Sequence, residues 1–123
     1  MKIIKGRLSA CPAHLRSLSV SGGWVVGSAA QWLVGAKHDT PKDFDVIVPF
    51  GCWFDASKMI PLGSVSNTFG GWKFSIEGRS YDVWPQELSD YILRTDSSFG
   101  LVAVQLHRQI AVVGTVGVSK EVP

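Results

Sequence analysis

The chain has 123 residues, enough for one hydrophobic core and too few for a second. Hydrophobic residues make up 46% and charged residues 18%, which excludes a disordered chain, and a net charge of +2 is too small for the basic stripe of a nucleic-acid footprint. No apolar run reaches the length of a membrane span.

The N-terminus carries Lys2, Lys5, Arg7 and Arg16 with no acid among them, a pattern that a solvated surface explains. It lacks the apolar core of a signal peptide. Cys11 and Cys52 are far apart and match no metal-ligand spacing, so the expectation is a reduced thiol pair in a cytoplasmic protein. His14, His38 and His107 likewise lack zinc-site spacing. Five tryptophans are many for this length and suit either a core or a covered surface.

Along the chain, Pro12 opens a helical turn that runs to Arg16. Residues 18–27, LSVSGGWVVG, mix β-branched residues with glycine and predict a strand, starting late near Trp24. Ser28 then reads as the N-cap of a helix through Ala29, Ala30, Gln31 and Leu33, stopped by Gly35. DFDVIVPF, from Asp43, is a strand ended by Pro49 and Gly51, and residues 53–61 suit a short helix. WKFSI and SYDVW predict a hairpin joined by Glu77-Gly78-Arg79. PQELSDYILR, opening with Pro85, reads as a helix. Residues 99–118 are apolar and fit helix or strand, with Ile110–Val113 the better strand. The expected fold is one α+β domain over residues 1–123, a small mixed sheet with helices packed on one side.

The chemistry concentrates in KDFDVIV. Side chains alternate along a strand, so Asp43, Asp45 and Ile47 share one face while Phe44, Val46 and Val48 take the other. Two adjacent anions persist where water reaches them, where one is protonated, or where a cation lies between them. An isolated Asp-x-Asp also fits two solvent-facing residues at a strand start. Asp82, on a second predicted strand, adds a third carboxylate if the two strands are neighbours, and three such groups can hold two divalent ions for displacement at phosphorus. Gly27 permits close backbone approach to a ligand, and Ser28 follows it at the start of a helix whose free N–H groups attract anions. The glycines from Gly22 to Gly27 are spaced as in a P-loop, but Ser28 stands where that motif needs lysine, so a P-loop is excluded.

Together, Val26-Gly27-Ser28, the helix from Ala29 to Val34, Asp43-Phe44-Asp45-Val46 and Asp82 resemble the nucleotidyltransferase superfamily, which includes DNA polymerase β and the heads of CCA-adding enzymes and poly(A) polymerases. The match covers about residues 24 to 84. The resemblance implies a nucleotidyltransferase fold in which Gly27 and Ser28 hold the β- and γ-phosphates of a nucleoside triphosphate. Asp43 and Asp45 would bind two Mg2+ ions, with Mn2+ as an alternative, and Asp82 the catalytic one. Asp82 would also help to deprotonate an attacking hydroxyl, with release of pyrophosphate. Lys42 is a candidate phosphate contact by charge and position. RTDSSFG, from Arg94, is similar to a nucleotide-contacting segment of the CCA-adding and poly(A) group, which nominates Arg94 and Asp96. That group carries an Arg-Asp pair soon after its glycines, where this chain has Ala29, Ala30 and Gln31.

The expected activity is Mg2+-dependent transfer of a nucleoside monophosphate to a hydroxyl, with an RNA or tRNA end among the acceptors. The competing reading is a non-catalytic nucleotide-binding or protein-interaction module that keeps the fold, or one half of a two-chain complex.

Overall fold

The computed structural model describes residues 2–94 and 101–114. In chain order they form helices α1 (Lys5–Ser9) and α2 (Ala13–Val20), strand β1 (Trp24–Val26), helix α3 (Gly27–Leu33) and strand β2 (Asp43–Val48). A 3-10 turn at Phe50–Cys52 leads into α4 (Trp53–Ser57), followed by β3 (Val65–Ser66), β4 (Trp72–Ile76), β5 (Arg79–Pro85), α5 (Leu88–Arg94), β6 (Leu101–Gln105) and β7 (Ile110–Gly114). The strands make one mixed, mostly antiparallel sheet in the order β3-β4-β5-β2-β1-β6-β7. Among the described residues its one parallel pair is β2 with β5, in the register Asp43 to Ser80, Asp45 to Asp82 and Ile47 to Trp84.

Alternation along these strands builds two unequal faces. Phe44, Val46 and Val48 of β2 join Val25, Tyr81, Val83 and Val104 beneath Leu15 and Leu18 of α2, Ala30 and Leu33 of α3, and Ala56 of α4. Each of the Phe, Leu and Val side chains contributes about 1.5–3 kcal/mol when fully buried. The other face holds a smaller cluster of Val26, Ile47, Trp84 and Ala103, against which Leu88 and Tyr91 of α5 pack. The expectation of helices on one side therefore holds for the main layer and fails for α5. The reason is the composition of the second face. Ile47 and Trp84 lie two residues beyond Asp45 and Asp82, and they are too apolar to face water without a cover. The acidic half needs none.

Several boundaries differ from the sequence expectations. The first strand is short because Gly22, at φ +101°, and Gly23 close α2 first, with the Gly23 N–H donating to the Leu18 carbonyl at 2.9 Å. Helix α3 starts at Gly27 rather than after Ser28. Val26 is its cap residue, and no side chain caps it. Gly27, at φ +68°, turns the chain straight from strand into helix, which leaves Ser28 within the first turn. The other end of α3 is as expected. Gly35, at φ +86°, donates to Trp32 O at 3.1 Å and Ala36 to Gln31 O at 2.8 Å, the paired bonds of a Schellman stop.

Pro85 ends β5 instead of opening a helix. It lies opposite Val48, and the next N–H, from Gln86, donates to Val48 O at 2.9 Å. The β4–β5 loop is two residues, not three: Ile76 pairs with Arg79, and Glu77 and Gly78 both have positive φ, the type I′ requirement. The apolar tail resolves as a β6–β7 hairpin, with Leu101 opposite Gly114 and Gln105 opposite Ile110. Both cysteines are free thiols. Among the described residues, no helix is long and apolar enough to cross a membrane.

Candidate functional site

The parallel register of β2 and β5 puts Asp45 and Asp82 side by side and Asp43 beside Ser80. On this face the three carboxylates, with Ser28, Ser80 and Lys73, line a cavity of about 250 Å3 to which Tyr81 also contributes. Gly27 sits directly against the site. A Cβ at that position would come within 2.9 Å of Asp45 Oδ2. The glycine thus has two physical reasons, its left-handed backbone and the carboxylate it leaves room for.

Electrostatics make Asp45 the strained member. Burial, then the negative charges of Asp82 and Asp43, push its carboxyl up to about 6, with Lys73 acting in the opposite sense. At neutral pH the cavity therefore carries adjacent negative charge in a partly desolvated setting, a setting that a cation relieves.

Asp82 has its own partners. Asn67 Nδ2 donates to Asp82 Oδ1, and Lys73 Nζ lies 4.0 Å from Oδ2. Asn67 also organises the loop before β4. Its Oδ1 accepts from the Phe69 N–H at 3.0 Å and from the Gly71 N–H at 2.7 Å. Gly71 is required there, since a Cβ would collide with the Val83 carbonyl and with Trp84. Asn67, Lys73 and Ser80 were not singled out from the sequence. Lys73 was within reach, because a two-residue β4–β5 loop pairs it with Asp82.

Of the sequence candidates, Asp43, Asp45, Asp82 and Ser28 meet at one cavity, and Gly27 abuts it. Lys42 is exposed just before β2 and does not line the cavity, where Lys73 supplies the cation instead. Arg94 is the last residue of α5, and Asp96 lies outside the described residues.

Carboxylate oxygens are the hard donors that Mg2+ prefers, and here they are crowded and under-neutralised. As the side chains stand, no group of three or more His, Cys, Asp or Glu among the described residues is placed to hold a metal ion. Asp82 is turned to Asn67 and Lys73, so the fit rests on Asp43 and Asp45, with Asp82 adjacent. No protein-family model, curated protein or solved structure matches the chain.

Proposed function

We propose that the protein is a nucleotidyltransferase that moves a nucleoside monophosphate from a triphosphate to a hydroxyl and releases pyrophosphate. The observation that carries the reading is the direct pairing of Asp45 with Asp82 on parallel strands, with Asp43 and Ser28 on the same cavity. Asp43 and Asp45 would hold Mg2+, which would neutralise phosphate charge and polarise the reacting phosphoryl group. Gly27 gives the triphosphate room to approach the backbone, and the Ser28 hydroxyl donates to a phosphate oxygen. Asp82 is the base for the acceptor hydroxyl: Asn67 donates to its Oδ1, which leaves Oδ2, beside Lys73, to take the proton. Lys73, largely exposed beside it, attracts the anionic substrate to an otherwise acidic opening. An RNA end, a protein side chain and a small alcohol all carry a suitable acceptor hydroxyl.

The test incubates the protein with labelled nucleoside triphosphates, a range of acceptors and Mg2+ or Mn2+, beside an Asp43→Ala/Asp45→Ala variant. Label transfer with pyrophosphate release by the wild type alone is the expected result. Equal signal from both proteins overturns the assignment.

A second reading has its own support in the engagement of Asp82 with Asn67 and Lys73. On that reading the cavity binds a nucleotide without turning it over, or forms one half of a two-chain assembly. Saturable triphosphate binding with no pyrophosphate released across all acceptors would select it.

A further inference from the structure

Across the sheet from the carboxylates, between α2 and the β4–β5 hairpin, lies a larger cavity of about 550 Å3. That volume is in the range of small-molecule sites. His14 and Tyr81 both line it, and each carries a buried polar atom, His14 Nε2 and Tyr81 Oη, with no hydrogen-bond partner among the described residues. Tyr81 is 1% exposed, its ring stacked on Phe74 at 5.1 Å and meeting His14 edge-on at 5.4 Å. The Tyr81 phenol, held in this way, does not turn out to water, while His14 is half-buried beside it. Buried polar groups in native proteins are almost always satisfied, and these two atoms lie beyond the reach of water, so a ligand meets them by a small shift of the two rings on binding.

We propose that this cavity is a second binding site, for a small organic carboxylate with an apolar body. Burial lowers the His14 pKa and raises that of Tyr81, so both groups are neutral near pH 7 and each can donate one hydrogen bond. Arg79, on the same lining, brings a fixed positive charge, its guanidinium 5.6 Å from the centre of the Phe44 ring. Among the described residues it has no ion-pair partner. Two neutral donors and a guanidinium match the two oxygens of a carboxylate. Pro12, Ile76 and the two rings supply an apolar wall for the rest of the ligand. Glu77, at the exposed hairpin turn, is the one acidic residue of the lining and opposes the anion from the rim.

Benzoate is the probe, with benzamide as its uncharged counterpart and inorganic phosphate as an anion without an apolar body. With carbon-13 in the His and Tyr rings, benzoate should shift the His14 and Tyr81 resonances saturably, and the other two compounds should not. Tyr81→Phe removes only the unpartnered oxygen, and Arg79→Gln removes the charge; each should weaken benzoate by about tenfold, as loss of one charge-assisted hydrogen bond does. The Asp43→Ala/Asp45→Ala variant should bind benzoate as the wild type does, which separates this site from the acidic one. No saturable shift, equal affinity in the Tyr81→Phe protein, or loss of binding with the acidic pair would each overturn the proposal. The first result would mean that the cavity holds only water, and the second that benzoate binds without the Tyr81 hydroxyl.

Discussion

Asp45 shows how one residue can be costly to the fold and still be placed with care. In the unfolded chain its carboxyl ionises near the ordinary value of 3.8, whereas in the fold it keeps its proton to about 6. The folded state thus binds more protons between those values, so this group's stabilising contribution is full below 3.8 and lost as pH rises through 6. Asp45→Asn should accordingly raise the thermal midpoint at about pH 7.5 and leave it nearly unchanged at about pH 3.5. Millimolar Mg2+ should raise the wild-type midpoint at the higher pH and the variant's much less. A variant no more stable than wild type at the higher pH would remove the premise of uncompensated charge. Gly27 makes the same point from the backbone. Gly27→Ala forces an L-residue to φ +68° and sets its Cβ 2.9 Å from Asp45 Oδ2. A loss of about 1–2 kcal/mol from the backbone alone is expected in urea unfolding, and the carboxylate must also move. Both residues were legible in the sequence because alternation and glycine are local signals.

The β4–β5 hairpin, by contrast, was legible as an element and not in its register. A three-residue loop over Glu77-Gly78-Arg79 would put Phe74 opposite Asp82; the two-residue loop puts Phe74 opposite Tyr81 and Lys73 opposite Asp82. Side-chain pattern distinguishes the two, because cross-strand partners share a face and an apolar ring belongs with Tyr81. Asn67 carried no such clue. Asparagine in a glycine-rich turn is ordinary, and only the folded chain brings it to Asp82. There its side chain joins the Phe69 and Gly71 N–H groups to a carboxylate fifteen positions away. Asn67→Ala removes the shared acceptor of the two amides and, among the described residues, leaves Asp82 with Lys73 alone. It should cost about 2–3 kcal/mol and speed hydrogen exchange at Phe69 and Gly71 while sparing β2. Unchanged exchange at those two amides would show that Asn67 is not the anchor of the loop.

At the scale of the whole molecule, the cavity owes its position to two long-range facts that no local pattern encodes. One is the parallel contact of β2 and β5, separated in sequence by α4, β3 and β4. Parallel pairing leaves no turn in the sequence to announce it. The other is that α5 crosses to the second face and stops over Ile47 and Trp84, leaving the neighbouring aspartates open. The apolar residues of that face require the helix, and the acidic residues require its absence. Core and site are therefore separable in energy. Phe44, Val46, Tyr81 and Val83 hold the strands together from the helical face whether or not the opposite side carries charge. Replacing Asp43, Asp45 and Asp82 together by Asn keeps size and shape and removes three mutually repelling anions. The triple variant is expected to unfold as cooperatively as wild type, at an equal or higher temperature, and to lose label transfer entirely. If instead it unfolded at lower temperature at about pH 7.5, the acids would be structural, Asp82 through its contacts with Asn67 and Lys73. Nucleotidyl transfer would then have no claim on them.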